Sequence, residues 1–125
     1  MTEAELQARV MRGIGSRPDT RVFRNQVGVY RLEDGRVIAS GLCKGSSDLV
    51  GWKIMEVTPS LLPSLLGRRI AVFVSIEIKT STGRVSPEQA NWVNAVRKAG
   101  GLAGVARSLE EAQQILTQPF PSFEN

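Results

Sequence analysis

The amino-acid sequence predicts a mixed α/β domain, a central β-sheet flanked by helices in the order α-β-β-β-β-α-β-α. Three observations lead there. A capped helix opens the chain at Thr2, two β-rich stretches follow across an Asp34-Gly35 turn, and the second half reads strand, Ser-capped helix, strand from Ile70 to Ala106. At 125 residues, 42% hydrophobic and 22% charged, the chain has room for one core and too much apolar content for a disordered segment. Residues 1–118 are therefore expected to form one domain, with 119–125 as a frayed tail.

Thr2 followed three residues later by Glu5 is a capping box, and Met1 with Leu6 can form its hydrophobic staple. The first helix should then end near Gly13 or Gly15. Arg21–Leu32 and Arg36–Cys43 are β-rich and are joined by Glu33-Asp34-Gly35, a hairpin-turn sequence. The small-residue turn Gly45-Ser46-Ser47 leads into a strand beginning near Asp48. Pro59 and Pro63 limit the next segment to a short helical turn or a loop that packs its leucines down. Ile70–Ile76 is a nearly continuous apolar run, as expected for a central strand covered on both faces. Ser86-Pro87-Glu88-Gln89 places Ser at N-cap, Pro at N1 and Gln at N3 of a helix, with Ala90, Val93 and Val96 on one side and Gly100-Gly101 at its end. Leu102–Ala106 is a short buried strand, reached by a right-handed crossover. Ser108 with Glu111 opens a last capped helix that stops before Pro119.

Composition excludes several chemistries. The chain has no His, so it has no Ser-His-Asp triad, no His-ligated zinc and no imidazole base; a catalytic proton must move through carboxylate, Lys or metal-bound water. The lone Cys43 forms no intrachain disulfide and is expected to be a buried or inert thiol in a reducing cytoplasm. The opening MTEAELQARV lacks an apolar h-region, and Ile70–Ile76 is far shorter than the ~20 residues of a membrane helix, so a cytoplasmic protein without membrane attachment is expected. The net charge of +4 and pI of 9.8 favour polyanionic partners, and an ordinary basic surface accounts for them equally. Neither a GxGxxG after a strand nor a GxxxxGK[ST] loop occurs, which removes support for a nucleotide-dependent small-molecule enzyme.

The residues that can carry chemistry lie in Ser75-Ile76-Glu77-Ile78-Lys79. Strand alternation puts Glu77 and Lys79 on one face and Ile76 and Ile78 on the other. Two charges on a covered strand are costly unless they pair or bind something, whereas on a solvated edge strand they need no explanation. Asp48 follows a small-residue turn able to approach a ligand, although an Asp there can also serve its own turn backbone. On the first helix, at ~100° per residue, Val10 and Ile14 fall within ~20° of Glu3 and Leu6 within ~60°, while Glu5 lies opposite with Arg9 and Arg12. Glu3 and Gln7 are thus expected to face inward, and Glu5 has a sufficient task in the cap. Gln89 is likewise explained by its capping position alone.

An Asp at the head of one strand, Glu-x-Lys on the next and a helix opening with Gln resemble the PD-(D/E)XK nuclease superfamily, with its αβββαβ restriction-endonuclease-like core. Arg24-Asn25-Gln26-Val27-Gly28, Lys44 to Gly51, Ile76 to Lys79, Gly83 to Gln89 and Ala99-Gly100-Gly101 together resemble the VRR-NUC family in its small, stand-alone phage form, over about residues 3 to 112. Where that family commonly has Pro before the motif Asp, this chain has Ser47, which bears on turn rigidity more than on chemistry.

The resemblance implies that Asp48, Glu77 and the backbone carbonyl of Ile78 bind Mg²⁺ or Mn²⁺, with Glu3 assisting; oxygen-only ligands suit such hard cations. It further implies that the metal activates water and the scissile phosphate, that Lys79 acts as a cation and not a base, and that Gln89 hydrogen-bonds Lys79 or the water. The implied function is cleavage of Holliday junctions or other branched DNA in repair and recombination, by a homodimer resembling junction resolvases. Arg24, Lys44 and Arg84 flank the motifs and are the candidate phosphate contacts, solvated surface charge being the commoner fate of any one such residue. The alternative is a non-catalytic nucleic-acid-binding module of the same fold. Clustered carboxylates on a polyanion-binding face oppose that alternative unless a divalent ion neutralises them. Leu61, Leu62, Leu65 and Leu66 can cover the core or meet a second subunit.

Overall fold

A computed structural model describes residues 2–118, so the Met1 staple and the tail from Pro119 lie outside the described residues. The chain is mixed α/β and falls into two compact units, Met1–Met55 and Glu56–Asn125. The first holds helix α1 (Glu3–Gly15) and strands β1 (Thr20–Arg24), β2 (Gly28–Arg31), β3 (Val37–Ser40) and β4 (Leu49–Lys53). The second holds α2 (Leu62–Leu65), β5 (Val74–Ile78), α3 (Pro87–Lys98), β6 (Leu102–Ala106) and α4 (Leu109–Leu116). In place of one central sheet, the described strands form three two-stranded sheets, β1-β4, β2-β3 and β5-β6.

In the first unit the capping box forms as expected: Thr2 N donates to Glu5 Oε2 at 2.7 Å and Glu5 N to Thr2 Oγ1 at 3.1 Å. The helical face agrees with expectation at Gln7 and Val10 and departs from it at Glu3, Leu6 and Ile14. Half-buried positions are Gln7, Ala8, Val10 and Met11, whereas Glu3 is exposed and Leu6 and Ile14 are 51% and 40% exposed. The reason is the contact with β1. Arg24 Nε lies 3.4 Å from Met11 Sδ, and Gly15 sits against Val22, so the contact stripe runs through Met11 and leaves the first turn in solvent.

The stretch Arg21–Leu32, expected as one β-rich segment, is two strands with different partners. β1 pairs antiparallel with β4, from Thr20 opposite Lys53 to Arg24 opposite Leu49. β2 and β3 form the expected hairpin, from Gly28 opposite Ser40 to Arg31 opposite Val37, with Gly35 at φ 87° in its turn, a conformation that favours glycine. One face of β1-β4 carries Phe23 and Trp52 with ring centroids 5.6 Å apart, and the Arg21 guanidinium lies 5.5 and 5.8 Å from the two centroids.

Asp19 precedes β1 and accepts from Arg17 Nε and Nη2 at 3.1 Å each and from Thr20 Oγ1 at 2.8 Å. The Arg17 and Thr20 hydrogen bonds hold its carboxyl down at about 2. A depressed carboxyl stabilises the folded chain above its ordinary titration range and loses that contribution as pH falls through about 2. A carbon-detected NMR titration should therefore place the Asp19 midpoint near 2, and Arg17→Gln should move it up toward ordinary carboxyl values.

In the second unit β5 and β6 run parallel, Val74 beside Leu102 through Ile78 beside Ala106, with α3 as the connecting helix. The buried apolar residues are Val93, Val96, Ala103, Ala106 and Ile115, so the core sits where α3 and α4 pack on β6. A Cβ on Gly104 would come within 2.9 Å of Ile115, showing how closely α4 lies on that strand. On α3 the packed face runs through Gln89, Trp92, Val93 and Val96; Ala90, expected inside, is exposed. At α4, Ser108 caps Glu111 N as predicted, but the Glu111 side chain accepts from Arg107 N, one residue before the cap.

β5 is shorter and barer than the apolar run implied. Ile70 is 59% and Ile78 70% exposed, and among the described residues β5 is hydrogen-bonded along one edge only. It is therefore not a strand covered on both faces: apolar composition reports β propensity, while coverage depends on which elements arrive beside it. α2 is a single turn over Pro63, with Leu61 and Leu65 half-buried and Leu62 and Leu66 exposed. No helix among the described residues is long and apolar enough to cross a membrane.

Candidate active site

The predicted alternation holds in β5, and hydrogen bonds settle its orientation. Trp92 Nε1 donates to Ser75 Oγ at 2.8 Å and Gln89 Nε2 to Glu77 Oε1 at 2.8 Å, so Ser75 and Glu77 face α3. Lys79 Nζ approaches the same Glu77 Oε1 at 3.6 Å. Gln89 is engaged at both ends of its amide, because its Oε1 accepts from Ser86 N at 3.0 Å while Ser86 Oγ caps Gln89 N. The helix cap thus aims the Gln89 Nε2 donor at the strand carboxylate. Gln89 keeps the capping role its position predicts, but its Nε2 donates to Glu77, where the family resemblance implied Lys79 or the water as partner.

Magnitudes decide how to read the Glu77-Lys79 pair. Their side chains are 33% and 21% exposed, so solvent screens the attraction, and pairs of this kind contribute under about 1 kcal/mol. Stability alone is a weak reason for two charges on the inner side of a strand. Among the described residues, Glu77 Oε2 takes no hydrogen bond and remains available to a cation.

The ladder also places the Ile78 carbonyl. Leu102 N donates to the Phe73 carbonyl and Lys79 N to the Ala106 carbonyl, so the odd-numbered residues of β5 face β6. The amides and carbonyls of Val74, Ile76 and Ile78 consequently point to the opposite edge, where no strand of this unit lies. Ile78 can offer an oxygen there without breaking a sheet bond.

In the first unit Asp48 stands at the head of β4, exposed, with its carbonyl accepting from Asn25 N at 2.8 Å. Its carboxylate makes no hydrogen bond to its own turn among the described residues, so a local turn role does not account for it. Arg24, Lys44 and Arg84 are exposed, as phosphate contacts must be, and Glu3 is exposed on the first turn of α1.

Asp48 in the first unit offers carboxylate oxygens, and Glu77 and Ile78 in the second a carboxylate and a carbonyl oxygen, each the kind of donor a hard divalent cation takes, and the chain has no imidazole to compete. Among the described residues no three His, Cys, Asp or Glu side chains gather into a group that could hold a metal ion.

Three residues were not anticipated as contributors. Asn25 is the one buried polar residue among those described, at 8% exposure, and it binds the turn before Asp48. Trp92 anchors α3 to β5 through Ser75. Arg107 Nη1 donates to the carbonyls of Thr80 and Gly83 at 2.6 and 2.7 Å, clamping the loop that follows Lys79. A usable signal existed only for Asn25, a strand-breaking polar residue between two β stretches.

Compared with known proteins, residues 34–110 match the family described as the VRR-NUC domain. Neither a curated protein nor a solved structure matches the chain.

Proposed function

The chain belongs to the VRR-NUC family, a nuclease family acting on DNA, and from that premise we propose that it is a Mg²⁺- or Mn²⁺-dependent endonuclease that cuts Holliday junctions or other branched DNA. The matched residues include Asp48, Glu77, Ile78, Lys79, Arg84 and Gln89. The observation that carries the reading is the contact of one carboxylate, Glu77, with both Lys79 and Gln89 on the α3 face of β5, its second oxygen left open. Asp48, Glu77 and the Ile78 carbonyl are the proposed metal ligands, with Glu3 as an outer contributor.

When bound, the metal supplies a Lewis acid for the scissile phosphate and a nucleophile drawn from water. The residues of the chain do the rest. Lys79, an ammonium beside a carboxylate, stabilises the negative charge growing on the phosphate. Gln89 holds Glu77 in one rotamer through a bond that the α3 cap itself orients. Arg24, Lys44 and Arg84 bind flanking phosphates. Because one site cuts one strand and a junction presents two symmetric scissile phosphates, the working form is proposed to be a homodimer resembling junction resolvases.

The test is a cleavage gel with Mg²⁺ or Mn²⁺ on a four-way junction, a flap and plain duplex. Wild type should nick the branched substrates, while Asp48→Asn and Lys79→Ala should bind the junction and lose cleavage by at least ~10²-fold. Binding without cleavage by the wild type under either metal would turn the reading to a non-catalytic binding module. Equal cutting of duplex and junction would remove structure specificity.

A further inference from the structure

Between β3 and β4 the chain makes an eight-residue excursion from Gly41 to Asp48, and both of its ends are tied to one side chain. Asn25 Oδ1 accepts from Leu42 N at 2.8 Å at the start of the excursion. Asn25 Nδ2 donates to Ser46 Oγ at 2.7 Å and to the Ser47 carbonyl at 2.9 Å at its end. The Asn25 backbone N then donates to the Asp48 carbonyl at 2.8 Å. Ser46 passes the connection inward, its Oγ donating to the Cys43 carbonyl at 2.6 Å. Gly41, at φ 77°, lies so close that a Cβ there would come 2.6 Å from the Gln26 carbonyl oxygen and 2.9 Å from Asn25 Oδ1.

The chemistry of this hub is specific to an amide. It uses both N–H donors and the acceptor of one buried side chain, which no carboxylate, hydroxyl or apolar residue of that size provides. The Asp48 carboxylate, by contrast, is exposed and makes no described hydrogen bond. Its location is therefore set by its backbone, and its backbone by Asn25. We infer that Asn25 is a positioning residue for Asp48: it holds the β3-β4 turn in the one shape that presents the Asp48 carboxylate to a divalent cation. The inference rests on the metal-dependent reading above, and it adds an outer partner to a proposed ligand, the kind of contact whose loss costs ~10- to 100-fold in metal affinity.

The experiment measures Mn²⁺ binding by electron paramagnetic resonance of the free ion, on full-length protein, for wild type, Asn25→Ser, Asp48→Asn and the double variant, with amide exchange at Leu42 as a reporter of the turn. Asn25→Ser should weaken Mn²⁺ binding ~10-fold and speed Leu42 exchange. In the Asp48→Asn background the same change should cost nothing further, because the ligand it positions is gone. If Asn25→Ser does not fold, Ser46→Ala removes one arm of the hub and should show the same pattern at smaller size. If Asp48→Asn loses Mn²⁺ and Asn25→Ser does not, or if the two effects add, the positioning role is overturned while the metal reading stands. If wild type and Asp48→Asn bind Mn²⁺ equally, the metal reading fails and the positioning role falls with it.

Discussion

On the proposed metal-dependent endonuclease reading, Glu77→Gln is expected to abolish most cleavage of branched DNA, by ~10²- to 10³-fold or more in turnover, while leaving the protein folded and DNA-bound. The substitution keeps the shape of the side chain and an oxygen that can accept from Gln89 Nε2, so the α3 cap and the strand contact survive. The lost Lys79 attraction is partly solvated and worth under about 1 kcal/mol, too little to unfold the chain. What disappears is the negative charge that a hard cation requires. Removing an anion from the surface proposed to meet phosphates should also tighten DNA binding, with a slightly steeper salt dependence. Single-turnover cleavage beside equilibrium binding on one four-way junction measures both, and cleavage within ~3-fold of wild type would assign the chemistry elsewhere.

Gly51→Ala is expected to have the largest effect on stability. In the β1-β4 pair Gly51 stands opposite Val22, and the two backbones approach so closely that a Cβ would overlap the Arg21 carbonyl oxygen and lie 2.8 Å from Val22 Cα. Backbone cannot swing aside as a side chain can, so the strands must part. Overpacking in a core costs ~1–3 kcal/mol where side chains can yield, and here the upper end or beyond is expected. Parting them would also disturb Phe23 and Trp52, the aromatic pair on the other face of the same strands. Urea unfolding followed by Trp fluorescence should show a midpoint shift of that size, and a loss below ~0.5 kcal/mol would mean the strands are not packed as described.

In the second unit the helix caps and the shared strand face were legible along the chain, while the bounds and coverage of β5 were not. Ser86, Pro87 and Gln89 mark the start of α3 because capping is decided within one helical turn, and the shared face of Glu77 and Lys79 follows from the strand period. The first unit was less legible. The single stretch read from Arg21 to Leu32 divides at Asn25, whose neighbours go to different sheets. Its role depends on Leu42, Ser46 and Ser47, residues far away in sequence, and no local period announces such a meeting. The inward turn expected of Glu3 failed for a related reason: helical geometry ranks the faces of α1 but does not say which one β1 will meet.

By itself, then, the amino-acid order determined where the three capped helices begin, that Glu77 and Lys79 share a strand face, and that the chain brings no imidazole of its own. Only the tertiary structure decided that β1 takes β4 as its partner, that Gln89 spends one amide on both cap and carboxylate, and that Asn25 ties the turn carrying Asp48. The division has one physical cause. Capping and side-chain alternation are governed by residues within about four positions of each other, whereas strand partners are chosen by burial and loop closure over whole segments.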